Sequence, residues 1–381
     1  MKSQMPESHN YFATCPHGFE AVVARELKKL KAKNIKEENS GVSFNGDLKL
    51  GYKSNLWLRS AVRVLQNIKI FEAASEQELY DQIIAVQWED YLSIDHTLAV
   101  TANVRDSFLT HSKYAALKTK DAIVDRFTNK YERRPNVDRD SPDVQININL
   151  NNNRCTLSLD MSGASLHQRG YRQQIGVAPL KEALAAGIVL LTGYDGSQIF
   201  MDGMCGAGTM PIEAAFIARN FAPGLLRKKF GFQNWPGYDA DLWQKLVAEA
   251  QDSVVRQPEA PIYGSDISSL VIGFAKENAR RAGMRPWIKF SQKNMLELAS
   301  RGKGGIIICN PPYGERMGEI EELKGLYTEI GNVFKRQFSG NTGYIFTGNL
   351  ELLKSVGLKT QKKHVLYNGP IESRLAQYDL Y

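Results

Sequence analysis

A short apolar run that ends in two prolines constrains the fold of this chain more than any other stretch of its sequence. Ile306–Cys309 holds three β-branched residues and a cysteine with no polar alternation. This is typical of a strand buried on both faces of a parallel sheet. Pro311 and Pro312 must end that strand, because a proline has no N–H to donate to a neighbouring strand. The pattern predicts an α/β fold with a rigid polar segment at the carboxyl end of a buried strand.

That segment, residues 310–313, reads Asn-Pro-Pro-Tyr and suits a planar ring that carries an amino group. The amide oxygen of Asn310 and a prolyl carbonyl can accept both hydrogens of an amine. The aromatic ring of Tyr313 can stack on the ring that bears the amine. The alternative is an ordinary turn that follows a core strand, and the segment alone does not decide between the two.

A second motif follows a strand predicted at 199–202 and precedes a helix predicted at 210–219. Its glycines allow the backbone to approach a ligand closely at the edge of a sheet. A dinucleotide-binding fingerprint would need a third glycine where Pro211 stands, so that class of site is not favoured. The pattern is instead Asp-x-x-Cys-Gly-x-Gly-Thr, and its members are Asp202, Gly203, Cys205, Gly206, Gly208 and Thr209.

The two motifs together resemble those of S-adenosylmethionine-dependent methyltransferases that modify exocyclic amines of adenine, guanine or cytosine. The resemblance implies a Rossmann-like class I methyltransferase domain, with a seven-stranded sheet whose last strand is antiparallel. It also implies S-adenosylmethionine as the cofactor, with no metal. The implied catalytic residues are Asn310, Pro311, Pro312 and Tyr313; Asn310 and the loop residues from Asp202 to Thr209 would bind the cofactor.

Two further strand ends complete the cofactor site that the resemblance implies. A strand at 262–266 ends in Asp266, which is followed by Ile267, and an acid there would accept hydrogen bonds from ribose hydroxyls. A third strand at 287–290 leads to Asn294 and Met295. Many relatives carry aspartate at the position of Asn294 to bind the adenine amino group, and the asparagine keeps an acceptor oxygen. We expect the strand tips at Asp202 and Asn310 to lie side by side.

The sequence pattern of the N-terminal half predicts smaller α+β units. The spacing of apolar residues predicts amphipathic helices at 19–30 and 48–65, and 41–46 is typical of a strand that runs into a turn. Motifs at 18–20, 41–47 and 55–59 resemble the ferredoxin-like part of THUMP-bearing RNA methyltransferases. The predicted domains are a ferredoxin-like subdomain at 1–69, a THUMP RNA-binding domain at 70–165 and a class I methyltransferase domain at 166–381.

The formal net charge of +7 and the pI near 9.0 favour an anionic partner. Basic residues cluster at 105–139, either as a patch that follows an RNA backbone or as a solvated helix face with acidic partners. Aromatic residues beside the basic run 227–229 could hold RNA or form a satellite core under a long insertion at 221–260. Both pairs of alternatives stay open at the level of sequence.

Other classes of protein are less favoured by the composition. No apolar run approaches the length of a bilayer span. The four cysteines and six histidines are scattered, which argues against a disulfide framework and against a zinc site. We expect a protein of a reducing compartment, the cytoplasm.

The resemblance points to the bacterial family that methylates the exocyclic N2 of a guanine in 23S ribosomal RNA, so RNA is the expected partner. Asn-Pro-Pro-Tyr does not distinguish one base amine from another, which leaves adenine-N6 methylation of DNA or RNA as an alternative. A second alternative, from another class, is an RNA-binding assembly factor whose methyltransferase half is catalytically silent. The complete loop and the complete 310–313 segment argue against the second alternative.

Overall fold

The computed structural model describes residues 8–172, 180–314 and 317–381, and it arranges their strands in two sheets. The N-terminal elements are β1 (His9–Thr14), α1 (Glu20–Lys29), β2 (Lys33–Glu38), β3 (Gly41–Gly46), α2 (Leu48–Trp57), β4 (Arg63–Glu72), α3 (Glu76–Ile84), β5 (Thr97–Arg105), α4 (Ser112–Tyr131), β6 (Asn136–Val137), β7 (Val144–Asn151) and β8 (Arg154–Asp160). The C-terminal elements are α5 (Glu182–Leu191), β9 (Phe200–Asp202), α6 (Thr209–Ala218), α7 (Ala240–Asp252), β10 (Ile262–Asp266), α8 (Ser269–Arg281), β11 (Ile288–Gln292), β12 (Ile306–Cys309), α9 (Met317–Gln337), β13 (Asn341–Thr347), α10 (Leu350–Ser355), β14 (Lys362–Asn368) and β15 (Ile371–Leu380).

The N-terminal half forms one continuous eight-stranded sheet in the order β2-β3-β1-β4-β8-β7-β5-β6. The long strand β4 joins its two parts, because residues 63–67 pair with β1 on one side and residues 65–72 pair with β8 on the other. The pairing with β8 shifts register between Asn67 and Lys69. The domain boundary expected after residue 69 therefore falls inside β4, and the domain limits stay a prediction.

The helix predicted from 48 to 65 is wrong in its second half. It ends at Trp57, Leu58 is extended, and β4 begins at Arg63. Residues 61–65 continue an apolar pattern, but their backbone pairs with β1, where Val64 lies opposite Ala13. The edge strand β2 was not predicted either, because its residues are mostly exposed and carry no apolar alternation.

The C-terminal half forms a seven-stranded sheet in the order β11-β10-β9-β12-β13-β15-β14. Strands β11, β10, β9, β12 and β13 are parallel to one another, and β15 is antiparallel to both β13 and β14. This is the class I methyltransferase sheet that the resemblance implied, with its antiparallel last strand. The carboxyl ends of its parallel strands share one edge, where ligands bind in open α/β sheets.

Buried charges join the two halves. The side chain of Arg169 is 1% exposed and its Nε lies 3.4 Å from Oε1 of Glu213, on α6. Burial raises the pKa of Glu213, and the guanidinium of Arg169 acts in the opposite direction. Arg59 donates to the carbonyl of Phe221 at 2.9 Å, while its own backbone N–H donates to Glu26 of α1 at 2.8 Å. Arg169 also donates to the carbonyl of Arg59, so Glu213 on α6 is linked through Arg169 to the N-terminal half.

Aromatic residues of the insertion pack into a core, as the second interpretation expected, but that core is the large one shared by both halves of the chain and not a satellite. Phe230, Phe232 and Trp243 are buried, and the ring of Tyr52 stacks on Phe232 with centroids 4.2 Å apart. Arg227 is a clamp, because its guanidinium donates hydrogen bonds to the carbonyls of Ser162, Ala164, Ser165 and Gln168. In the basic cluster, Arg126 and Lys130 pair with Glu89, which removes part of it from a free cationic surface.

Candidate active site

The strand tips at Asp202 and Asn310 lie side by side, as the sequence predicted. Strands β9 and β12 are hydrogen-bonded neighbours, and Ile308 stands opposite Asp202 in their register. The N–H of Gly203 donates to the carbonyl of Ile308 at 2.9 Å, which carries the pairing one residue past the end of β9. The loop after β9 and the segment after β12 therefore begin next to each other at the carboxyl edge of the sheet.

The loop between β9 and α6 is held by its backbone. The N–H of Cys205 donates to the carbonyl of Ser265 at 2.9 Å, and that of Gly206 donates to Oδ2 of Asp266 at 3.1 Å. Gly206 and Gly208 adopt φ angles of +53° and +83°, a region that disfavours side chains. A Cβ at Gly206 would have no described atom within 4 Å, whereas one at Gly208 would stand 3.0 Å from Cβ of Ala275. Gly206 thus faces open space, and Gly208 permits close packing against α8.

Asp202 is a buried acid at this edge of the sheet, and its pKa is raised. It is completely buried, and its Oδ1 accepts a hydrogen bond from the N–H of Met204 at 3.1 Å. Its Oδ2 accepts none from the residues that the structure describes. Burial raises the pKa of Asp202 to about 8, and the neighbouring Asp266 contributes in the same direction. Such an orphaned oxygen fits a hydroxyl or ammonium donor of a bound molecule.

The side-chain oxygens of Asp266 and Asn294 also accept hydrogen bonds from nearby backbone N–H groups. Oδ1 of Asp266 accepts from the N–H of Ser268 at 3.0 Å, and Oδ1 of Asn294 accepts from the N–H of Leu296 at 3.0 Å. A carboxylate or amide oxygen has two acceptor sites, so each retains capacity for a ligand. Ile267, beside Asp266, exposes 68% of its surface to solvent. An apolar side chain exposed at the sheet edge is available to cover an apolar part of a ligand.

Three of the expected cofactor residues lie behind the loop surface. Met295 is buried beneath Gly203, and a Cβ added at Gly203 would come within 2.2 Å of its sulfur. Thr209 is 5% exposed, and its hydroxyl accepts a hydrogen bond from Arg172 at 2.9 Å. The Cys205 side chain is buried as well, and burial raises the pKa of its thiol. For these residues the structure shows packing and hydrogen bonds within the protein, and a cofactor contact stays a prediction.

The segment after β12 is braced from three elements. The hydroxyl of Tyr327, on α9, donates to the carbonyl of Pro312 at 3.3 Å and shares a 2.8 Å hydrogen bond with Thr347. Asn349 donates to the carbonyl of Tyr313 at 3.3 Å, and Asn368, at the end of β14, donates to its hydroxyl at 3.4 Å. In contrast, Oδ1 of Asn310 is buried without a partner in the described part of the chain. The amide oxygen predicted to bind an amine is thus held without a competing hydrogen bond from a described residue.

Several supporting residues were not identified from the sequence. Asn278 of α8 donates to the carbonyl of Ala207 at 3.1 Å and so pins the loop from below. Glu182, at the start of α5, is 5% exposed, and its Oε1 lies 3.4 Å from Nε of Arg172. Tyr327 lies on a helix whose pattern is amphipathic, and an amphipathic pattern does not reveal a buried hydroxyl bond.

Across residues 8–172, 180–314 and 317–381, no group of three or more His, Cys, Asp or Glu side chains could hold a metal ion. Over the same ranges, every helix is too short or too polar to cross a bilayer.

Three domain families match the chain in order along the sequence. Residues 10–65 match the RlmL ferredoxin-like domain, residues 73–160 the THUMP domain, and residues 169–377 the RMKL-like methyltransferase domain. The methyltransferase match covers more than half of the chain, including the loop after β9 and the segment after β12.

Full-length relatives and a solved structure agree with these matches. A Synechocystis sp. protein, named provisionally as an RNA methyltransferase, is 40% identical over 97% of each chain. Ribosomal RNA large subunit methyltransferase K/L of Syntrophotalea carbinolica is 42% identical over 97% of this chain and 53% of its own, so this chain spans about half the length of that relative. The crystal structure of SMU.472, described provisionally as a methyltransferase complexed with SAH, superposes with a TM-score of 0.89 at 33% identity over 99% of both chains.

Proposed function

This chain belongs to the RMKL-like methyltransferase family, and from that premise we propose that it transfers a methyl group from S-adenosylmethionine to an exocyclic base amine of RNA. The most specific form of the proposal is guanine N2 of 23S ribosomal RNA, in the cytoplasm. The THUMP match supports RNA as the substrate, and the names of the K/L relatives support the ribosomal large subunit. The SAH in the SMU.472 complex supports the methyl donor.

One observation carries the proposal: Oδ1 of Asn310 is buried next to the tip of β9, and no described residue forms a hydrogen bond with it. An aromatic amine is a poor nucleophile, because its lone pair is delocalised into the ring. We assign Asn310 Oδ1 and the Pro311 carbonyl as the acceptors of the two amine hydrogens. The Pro312 carbonyl accepts from Tyr327, which holds the segment in place. Acceptors aimed at the amine favour the more pyramidal nitrogen of the transition state.

The proposed transfer needs positioning more than a strong base. S-adenosylmethionine, when bound, supplies a methyl group activated by a sulfonium. The amine nitrogen forms a bond to the methyl carbon as the carbon–sulfur bond breaks, and the nitrogen then releases a proton to solvent. Holding the reactants in line can supply about 7–11 kcal/mol of the barrier. Stacking on Tyr313 at about 1–3 kcal/mol would offset part of the cost of unstacking the base.

We assign the cofactor roles to the two loops at the sheet edge. The open side of Gly206 admits the donor close to the backbone, and the orphaned Oδ2 of Asp202 suits a donor group on it. Asp266 and Asn294 retain acceptor capacity for the ribose hydroxyls and the adenine amine, with Ile267 beside them. The remaining proposed contacts are Gly203, Cys205, Gly208, Thr209 and Met295, through backbone groups or packing beneath the donor.

The test is transfer of a labelled methyl group, with base identification by mass spectrometry. We expect label in 23S ribosomal RNA as N2-methylguanine, and none in duplex DNA. Asn310→Ala should abolish transfer but leave the dissociation constant of S-adenosylmethionine close to that of the wild type. The matched control is Asn332→Ala, on the exposed side of α9, where the amide contacts Glu329 and not the site.

Each other result assigns the chain differently. N6-methyladenine in DNA would replace the proposal with the adenine alternative. Calorimetric binding of S-adenosylmethionine without transfer to any nucleic acid would favour a silent assembly factor. Full turnover by Asn310→Ala would contradict the role given to that amide.

A further inference from the structure

One face of the N-terminal sheet is polar and open. Along β7 the side chains of Val144, Ile146, Ile148 and Leu150 are buried, and the alternate residues are at least partly exposed. The buried face packs under α3 and α4. The opposite face lines a groove of about 1160 Å³, which is larger than the pockets of about 300–1,000 Å³ that hold drug-sized molecules. The groove therefore has room for an extended polymer.

Amide and hydroxyl side chains dominate the middle of this groove. They come from neighbouring strands and order one another: Asn103 donates to Asn149 at 3.2 Å, and Ser158 donates to Asn67 at 2.8 Å. An asparagine has two N–H donors and two acceptor sites, so one bond leaves most of this capacity open. Fixed amides of this kind match the donor and acceptor edges of nucleobases.

The charge of the groove suits a polyanion. Lys36, Arg154 and Lys181 line it, and so does Arg63, which also binds Asp160. Among the described residues of the lining, Glu38 supplies one carboxylate. Because Arg63 is paired with Asp160, three cations remain against one acid. They favour phosphates, yet they are too few for the dense basic surface that non-specific duplex binding needs.

Aromatic rings lie on the same surface. A Cβ at Gly41 would come within 2.3 Å of Cζ of Phe12, so the Phe12 ring packs directly over that glycine. The ring of Tyr367 meets His17 with centroids 5.5 Å apart, and all three rings line the groove. Phe12 and Tyr367 are partly exposed. Accessible rings stack on unpaired bases, whereas the bases of an A-form duplex are already stacked on one another.

The groove ends next to the Asn-Pro-Pro-Tyr segment. Tyr367 and Gly369 line it at the turn between β14 and β15. Asn368, between them, donates to the hydroxyl of Tyr313. The two surfaces are thus separated by a single turn of the chain, and a strand that leaves the groove at Tyr367 arrives beside Tyr313.

We propose that this groove binds an unpaired RNA segment that continues to the base held by Asn310. The proposal rests on the proposed function and deepens it, because it names the form of the substrate. Amides contact base edges, Phe12 and Tyr367 stack on bases, and Lys36, Arg154 and Lys181 neutralise phosphates. Single-stranded RNA should therefore bind better than the same sequence in a duplex.

The test places negative charge in the groove without touching the core. Asn147→Asp with Asn149→Asp adds two carboxylates on the open face of β7. The matched control, Gln82→Glu with Asn129→Asp, adds the same charge on α3 and α4, which cover the opposite face. Fluorescence anisotropy with a labelled mixed-sequence RNA, single-stranded or duplex, measures binding without requiring methylation.

We expect the groove variant to weaken single-strand binding at least ~10-fold, since carboxylates would face phosphates, and the control to bind like the wild type. In the methylation assay the groove variant should raise KM for RNA by a similar factor at unchanged kcat. Asn149→Ala, which adds no charge, should give a smaller effect in the same direction.

Equal binding by the two double variants, or tighter binding of the duplex by the wild type, would overturn the groove assignment. A wild type that binds single strands as expected but methylates no RNA would instead remove the proposed function and leave the groove in place. The two failures are therefore distinguishable in one set of measurements.

Discussion

The two glycines of the loop after β9 should respond differently to the same substitution. At Gly206 and Gly208 alanine would adopt the left-handed region, which costs about 1–2 kcal/mol for a residue with a Cβ. At Gly206 that is the whole cost to the fold, because the new Cβ meets no described atom within 4 Å. At Gly208 the Cβ would come within 3.0 Å of Ala275 and 3.2 Å of Phe290. Overpacking of this kind adds about 1–3 kcal/mol.

Gly208→Ala should therefore lose about 2–5 kcal/mol of unfolding free energy, and Gly206→Ala about 1–2 kcal/mol. The order should reverse for S-adenosylmethionine, because only the Gly206 Cβ would project into the space assigned to the donor. Urea unfolding gives the stabilities, and isothermal titration calorimetry gives the dissociation constants. Comparable unfolding free energies for the two variants, or tight cofactor binding by Gly206→Ala, would refute this account of the loop.

Three further predictions concern groups that the sequence did not single out or did not explain. Tyr327→Phe removes the donor to the Pro312 carbonyl, so kcat should fall. The dissociation constant of S-adenosylmethionine, measured by calorimetry, should stay within about twofold, a shift of less than ~0.5 kcal/mol. An unchanged kcat would show that Pro312 needs no support from Tyr327. Glu213→Gln leaves Arg169 buried without its counter-charge and should cost about 3–5 kcal/mol in urea unfolding. A loss of less than about 1 kcal/mol would mean that water reaches the pair. Because burial raises the pKa of Asp202 to about 8, the ligand-free protein should lose stability as pH rises from about 4 to 8. In unfolding experiments across this range, Asp202→Asn should remove this part of the dependence of the unfolding free energy on pH. An unaltered dependence would assign the titration to another group.

Most of the catalytic sheet could be predicted from the sequence because its strands are short apolar runs that end in recognisable motifs. Ile306–Cys309 is observed with the predicted bounds, and the side-by-side tips at Asp202 and Asn310 follow from the rule that parallel strands share a carboxyl edge. Ser268 caps α8, with its hydroxyl accepting from the N–H of Val271, and serine is a residue typical of that position. Each of these features depends on residues close together in sequence.

What the sequence could not predict depends on distant partners. Arg169 meets Glu213 across 44 positions, and Tyr327 reaches the carbonyl of Pro312 from a helix 15 positions later. The start of β4 at Arg63 depends on pairing with β1, while the local apolar spacing favours a helix through residue 65. The periodicity of apolar residues indicates which face of an element is buried, but it does not indicate which distant polar group that face contacts.

The two halves of the candidate site rest on different supports. The loop from Gly203 to Gly208 is held by β10 and α8, through Ser265, Asp266 and Asn278. The segment from Asn310 to Tyr313 is braced instead from α9, from Asn349 and from the turn after β14. They meet at the hydrogen bond from Gly203 to Ile308, which lies in the sheet itself. Because a rigid sheet fixes their separation, donor binding and base positioning can be disturbed independently, which is the arrangement that in-line transfer between two separately bound substrates requires.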